Sequence, residues 1–275
     1  MNFQTSKNIA EKQNEPRATT GFSRWIGFQT LVYREIIRFF TVAIQTLLPP
    51  LVSSFLYIFI FGLSLGKRMG ELQGVPYLKF MLPGMIMMYV IESAYQNTSS
   101  SLFISRWANY IEELLVTPLS YSEMVFAVIL GGLVRSMLIA SGVFAVALLF
   151  VHLPWTHPFM VFYFLILVSL TFSCLGMVVA LVAEEFEHLS IATTFLITPL
   201  VFFGGVFHSI EMLPAKLQTV TAYNPIFYMI NGLRYSFLGV SDAPIVNCLL
   251  VVGALFIALF SFTVYLFRSG YKLRK

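Results

Sequence analysis

The sequence predicts an all-α polytopic membrane protein with six transmembrane helices, an N-terminal amphipathic interfacial helix, and two short outer helices before the last span. Three observations carry that expectation. Hydrophobic residues make up 58% of the chain and charged residues only 11%, against about 25% charged in an ordinary soluble domain. The apolar residues gather in runs near the ~20 residues that a helix needs to cross a bilayer core. Between the last two runs lies a stretch too polar and too broken to cross, from Thr198-Pro199 to Gly232-Leu233-Arg234. Broken backbone at membrane depth is tolerated only where protein or a water-filled cavity shields it.

In chain order, residues 1–21 are polar and read as a disordered tail, with no signal peptide visible. Residues 22–40 read as an amphipathic helix. At 100° per residue Arg24, Thr30, Arg34, Glu35 and Arg38 share an arc. Trp25, Ile26, Val32, Ile36, Phe39 and Phe40 fall opposite, while Gln29 and Leu31 break the pattern. Arginine with tryptophan and phenylalanine suits a helix lying in the headgroup plane; the other reading is an extension of the first span.

The expected spans are 41–62, 78–99, 123–151, 159–183, 191–207 and 245–267. The second is interrupted by Glu92, Gln96 and Asn97. The fifth is short, and Pro199 with Gly204-Gly205 is expected to break it. In the broken stretch Asn224 can cap a helix whose first residue is Pro225, with Tyr228 and Gly232 on later turns and a stop near Gly239. Pro214 and Asn224 then bracket two short helices. These suit an outer gate or a cap that seals the bundle, and the two roles are compatible.

Six spans place both termini on one side. That side carries eleven basic residues: Lys7, Lys12, Arg17, Arg24, Arg34, Arg38, Arg106, Arg268, Lys272, Arg274 and Lys275. The other carries five: Lys67, Arg68, Lys79, Lys216 and Arg234. The positive-inside rule therefore predicts cytoplasmic termini. Basic residues collected at the chain ends suit anchoring in a lipid bilayer and not nucleic-acid binding, which needs a basic face on a folded domain.

The motifs exclude several chemistries. No GxxxxGK[ST] phosphate loop is present; Gly62 to Gly66-Lys67-Arg68 has the wrong spacing, so ATP hydrolysis by this chain alone is not expected. No GxSxG or HExxH motif appears, and Cys174 and Cys248 form neither a disulfide framework nor a metal pair. Glu184, Glu187 and His188 share a helical face, where an acidic solvated turn is preferred over a metal site. His152 and His157 read as interfacial, and His208 has no partner at ligand spacing. No catalytic residue, metal or bound cofactor is expected.

Two charges fall inside spans, where each costs at least a few kcal/mol near the bilayer centre and invites a functional hypothesis. Glu92 and Arg135 differ in depth by less than about 10 Å by helical rise. They read as an ion pair between helices, the preferred reading, or as the polar lining of a translocation path. In the loop after the second span, Ile111, Leu114 and Leu115 lie at i, i+3 and i+4 with Glu112 and Glu113 facing away, and Thr117-Pro118 ends the helix. This suits docking onto another protein; an ordinary interfacial loop is the alternative.

Three motifs in this order resemble the ABC-2-type transporter permeases. They are Glu112-Glu113-Leu114-Leu115-Val116-Thr117-Pro118, then Gly204-Gly205-Val206-Phe207 before Leu213-Pro214, then Asn224-Pro225 with Tyr228, Gly232, Leu233 and Arg234. The resemblance covers residues 22–275, nearly the whole chain, and is nearest to small bacterial permeases encoded beside a separate ATPase. It implies the permease subunit of an ATP-driven exporter in the bacterial inner membrane. Two copies of an ATP-binding subunit, which would hold ATP and Mg, and a permease homodimer are implied as partners. Glu112, Glu113, Leu114, Leu115, Thr117 and Pro118 would form the ATPase-coupling loop, and residues 22–40 the connecting helix. Gly204, Gly205, Pro214, Asn224, Pro225, Tyr228, Gly232 and Arg234 would belong to the outer gate. No residue is assigned to cargo, and glycan, lipid and drug-like substrates all fit. The competing function is a secondary transporter driven by an ion gradient through Glu92.

Overall fold

A computed structural model describes residues 21–62 and 70–272. The expected tail before Gly21, the basic residues Lys67 and Arg68, and Arg274 and Lys275 lie outside the described residues. In chain order the helices are α1 (Gly21–Thr41), α2 (Ala43–Ile60), α3 (Tyr77–Trp107), α4 (Ile111–Leu115), α5 (Tyr121–Leu148), α6 (Pro158–Val182), α7 (Glu187–Ala192), α8 (Thr198–Phe203), α9 (Ala215–Ala222), α10 (Pro225–Leu238) and α11 (Ile245–Ser269). A two-residue hairpin, β1 (Glu71–Leu72) with β2 (Val75–Pro76), precedes α3.

Four helices, α2, α5, α6 and α11, are long and apolar enough to cross a membrane. The second expected span is α3, which runs well past both ends of 78–99. It is more polar than α2, α5, α6 and α11 and also more buried, with 22 of its 31 residues buried. Gln96, Asn97, Thr98 and the serines that follow would cost several kcal/mol each if turned to hydrocarbon without partners. α3 therefore takes the centre, packed against α5, α6 and α10. Between membrane helices apolar burial supplies little drive, so close packing and interhelical hydrogen bonds hold the bundle, the latter near ~0.6 kcal/mol each. Thr98 Oγ1 donates to the Ser173 carbonyl at 2.8 Å, Tyr95 Oη to the Leu189 carbonyl at 3.0 Å and Tyr163 Oη to the Leu249 carbonyl at 2.9 Å. By contrast, α2 and α11 bury only 11% of their most apolar windows and sit at the periphery.

The fifth expected span is an apolar helical segment, Glu187–Phe203. It begins earlier than expected, and Pro199 does not break it. A π-helical turn, Thr193–Ile197, stands directly before α8, and the Thr198 amide donates to the Thr193 carbonyl five residues back. The wider turn accommodates Pro199, which has no amide proton and sits in the first turn of α8. The helix stops at Gly204-Gly205, where Gly205 adopts φ +85°, a left-handed conformation open to glycine without steric cost.

The amphipathic reading of α1 is corrected in one respect. Trp25, Ile26, Tyr33, Ile37 and Phe40 are exposed, but Glu35, expected on the outward polar arc, is 1% exposed. Its carboxylate accepts from Ser101 Oγ at 2.7 Å and meets Arg34 at 3.2 Å and Arg38 at 3.4 Å. Arg38 continues inward, donating to the Asn97 carbonyl at 2.9 Å and to Asn97 Oδ1 at 3.1 Å. Leu31, which broke the sequence pattern, packs with Leu114, Leu119 and Met124. The helix is docked on the bundle because its polar face finds polar partners on α3.

Candidate functional site

Three places hold the residues that the sequence singled out. The first lies at the end of the bundle where α3 gives way to α4. Ile111 and Leu114 are buried and Leu115 is partly so, while Glu112, Glu113 and Pro118 are exposed. Thr117 Oγ1 donates to the Leu114 carbonyl at 2.6 Å and closes the turn. Trp107, Tyr110 and Val116 are also exposed around it, the last at 86%. The loop ends in a capping box, Ser120 with Glu123, and Arg24 of α1 clasps Glu123 with contacts of 3.0 and 2.9 Å. Arg106 donates to the Ala180 and Ala183 carbonyls, satisfying the C-terminal end of α6. α4 is thus tied to α1 through Leu114 and Leu31, and Ile111 shares a core cluster with Met177, Ala180 and Leu181 of α6, while Arg106 ties the end of α3 to α6.

The second place is the opposite end, where α9 and α10 follow the broken turn. Asn224 Oδ1 accepts from the Ile226 amide at 3.0 Å as the N-cap of α10, and its Nδ2 donates to the Leu200 carbonyl of α8 at 2.6 Å. Pro225 opens α10 and Gly239, at φ +75°, closes it. Pro214 precedes α9, and Tyr228 Oη donates to the Ala222 carbonyl at 2.9 Å. Gly232 faces Phe164 so closely that an added Cβ would come within 2.2 Å of the ring.

Arg234 is fully buried at this end. Its Nη2 donates to the Gly205 carbonyl at 2.6 Å, Nε to the Phe80 carbonyl at 3.2 Å and Nη1 to Asn231 Oδ1 at 3.1 Å. The guanidinium lies 3.8 Å from the Phe80 ring centroid and 3.6 Å from Asp242 Oδ2. Asp242 Oδ1 in turn accepts from Gln73 Nε2 at 2.6 Å and from Ser209 Oγ. One ion pair therefore ties the hairpin, the start of α3, the Gly205 turn, α10 and the loop before α11. Beside it, burial and then the Arg234 charge hold His208 below the usual imidazole range, with Asp242 acting in the opposite sense.

The third place lies within the bundle. No ion pair joins Glu92 to Arg135 among the described residues, so the preferred ion-pair reading is not realised in this structure. Both charges instead line one cavity of about 300 Å³ between α2, α3 and α5. A second cavity, about 400 Å³ and bounded by α3 and α7, shares Gln96 and Arg135 as lining. Arg135 is 8% exposed and makes no hydrogen bond among the described residues, and its Nε is buried without a partner. Ser93 Oγ and Tyr89 Oη of the same cavity are also buried and unpartnered. Buried polar groups are nearly always paired in folded proteins, and here three unpartnered ones face a single cavity; three others, Gln73 Oε1, His208 Nε2 and Asp242 Oδ2, lie around Arg234.

Among the described residues no cluster of His, Cys, Asp and Glu is arranged to hold a metal ion. Glu184 pairs with Lys272 at 3.2 Å, and His188 Nδ1 accepts from the Glu184 amide at 3.2 Å. His157 stacks on Tyr235.

A model of the ABC-2 type transporter family matches residues 26–238. The chain belongs to the ABC-2 type transporter family. It is 37% identical to the inner membrane transport permease YadH of Escherichia coli (strain K12), over 91% of this chain and 98% of that protein. It is 28% identical to nodulation protein J of Rhizobium leguminosarum bv. viciae, over 81% of this chain and 85% of that one. Nodulation protein J of Rhizobium meliloti (strain 1021) is 26% identical over a similar span. As an ABC-2 permease, the chain is the membrane subunit of an ABC transporter in a bacterial inner membrane, and its kind of partner is an ATP-binding subunit.

Sequence reasoning overlooked three groups in these places. Asp242 had a signal, being the only acid after Glu211, so it was the one partner available to Arg234 in that part of the chain. Arg106 and the Glu35–Arg38–Asn97–Ser101 cluster had none, because their partners are backbone carbonyls or lie on helices remote in sequence.

Proposed function

We propose that the chain is the permease of an exporter driven by two copies of a separate ATP-binding subunit, with two permease copies side by side and both termini cytoplasmic. ATP and Mg would reside in the partner. Glu112, Glu113 and their neighbours on α4 would seat on that subunit, and α1 would act as the connecting helix. The cargo would be an amphipathic molecule, glycan-, lipid- or drug-like, passing along the cavities at Gln96 and Arg135 toward a gate formed by Gly204, Gly205 and α9–α10. ATP binding would favour one access state by binding free energy that differs between the two.

The observation that carries this reading is the build of α4. Its apolar side is anchored on α1 and α6, while two glutamates and three large apolar or aromatic side chains are left uncovered at one end of the bundle. α4 follows directly on α3, which lines both cavities, so motion imposed on that face would reach them through α3.

Co-purification tests it. The chain should retain an ATP-binding subunit and stimulate its ATPase activity in vesicles, and Glu112→Lys with Glu113→Lys should release it. If that variant retains the subunit, α4 is not the docking element. If the chain alone drives uptake or release down an ion gradient, Glu92 is a coupling site and the exporter reading fails.

A further inference from the structure

We infer that the cavity at Glu92 and Arg135 binds a compact zwitterionic headgroup, with a primary ammonium at Glu92 and an anionic oxygen group at Arg135. The inference rests on reading this cavity as part of the permeation path, and it adds a chemical class to the cargo. The starting point is that two opposite charges, on α3 and α5, line one cavity and form no ion pair among the described residues, whereas the other buried arginine, Arg234, is met by Asp242. Leaving each charge in a poorly solvated cavity costs several kcal/mol, and a structural pair would remove that cost by closing the gap.

The remaining polar groups extend the same logic. Arg135 Nε and Ser93 Oγ are buried donors without acceptors, and Tyr89 Oη can donate or accept. A phosphate or carboxylate would accept from Arg135 and Ser93, while an ammonium would donate to Glu92 and to Tyr89. A simple anion meets repulsion from Glu92, and a simple cation from Arg135. A neutral polyol satisfies the hydrogen bonds and leaves both charges uncompensated. The volume, about 300 Å³, has room for one compact headgroup.

The test uses the full chain in phosphatidylglycerol nanodiscs, which lack any zwitterionic lipid, with empty nanodiscs as the blank. Octyl phosphoethanolamine, octyl phosphate, octylammonium and octyl glucoside carry the same tail and differ only in the headgroup. Saturable binding, read by the shift in melting midpoint, should be strongest for octyl phosphoethanolamine. Glu92→Gln should weaken it by about 30-fold or more, as expected for loss of a buried hydrogen-bonded charge, and should raise the affinity for octyl phosphate. Arg135→Gln should do the converse and favour octylammonium, while Arg135→Lys keeps the zwitterion preference. Ser93→Ala and Tyr89→Phe remove one hydroxyl each, should weaken binding several-fold, and carry the test if a charge variant does not fold.

Equal binding of all four headgroups, a preference for the glucoside, or affinity unchanged in Glu92→Gln, Arg135→Gln, Ser93→Ala and Tyr89→Phe alike would overturn the inference. No ATP-binding subunit enters these measurements. A chain that binds the zwitterion and fails to engage an ATPase would sink the proposed function and leave the site standing. The reverse result would leave the exporter reading intact with a different cargo.

Discussion

Arg234 and Arg135 are the same residue type, both largely buried, and their surroundings could hardly differ more. Arg234 meets two backbone carbonyls, an amide oxygen, an aromatic face and a carboxylate. Arg135 meets no hydrogen-bond partner among the described residues and lines a cavity with Glu92. The first is a structural tie holding five segments at one end of the bundle. The second lines a cavity shared with Glu92. Burial of a charge therefore does not tell a structural role from a functional one; the completeness of its partners does.

The comparison makes predictions of graded size. Replacing Arg234 with Gln strands Asp242, whose side chain is 1% exposed, and should cost about 3–5 kcal/mol of stability. Equilibrium unfolding in mixed micelles reads that loss. Adding Asp242→Asn should recover part of it; a double variant as unstable as the single one would show that the carbonyl contacts, not the ion pair, hold the tie.

Gly232→Ala comes next, because its Cβ would run into the Phe164 ring. Overpacking of this kind costs about 1–3 kcal/mol, and Phe164→Leu in the same chain should relieve it. If Gly232→Ala is neutral, α10 is free to move away from α6 and the outer end is less rigid than Arg234 implies. Asn224→Ala should cost about 1 kcal/mol through loss of the N-cap, with a further decrement from the Leu200 carbonyl it leaves behind. Unfolding of this variant alongside Asn224→Ser separates the cap from that second contact.

The smallest effect on stability belongs to Arg135→Gln. Removing an uncompensated buried charge should leave stability within about 0.5 kcal/mol of the parent or raise it, while transport in reconstituted vesicles falls. A loss as large as that of Arg234→Gln would break the comparison and make Arg135 structural.

Much of this architecture was legible in the sequence. Long apolar runs marked α2, α5, α6 and α11, because a helix in hydrocarbon has to satisfy its backbone within itself and cover itself with apolar side chains. Asn224-Pro225 and Gly239 marked the ends of α10 through local chemistry that needs no tertiary partner. Where the reading failed, the deciding contact was remote. Helical periodicity placed Glu35 on the outer arc of α1, and a serine 66 residues away drew it inward. Pro199 read as a breaker because the π-helical turn that accommodates it has no recognisable residue signature.

By itself, then, the sequence determined what each segment could tolerate as surroundings: lipid for α2 and α11, partners for α3, a turn at Gly204-Gly205. It also carried the motifs by which the family is recognised. Tertiary structure alone decided which polar groups meet. Arg234 found Asp242 and Arg135 was held apart from Glu92, because a charge's partner depends on where helices distant in sequence place their side chains, and periodicity within one helix carries no information about that distance.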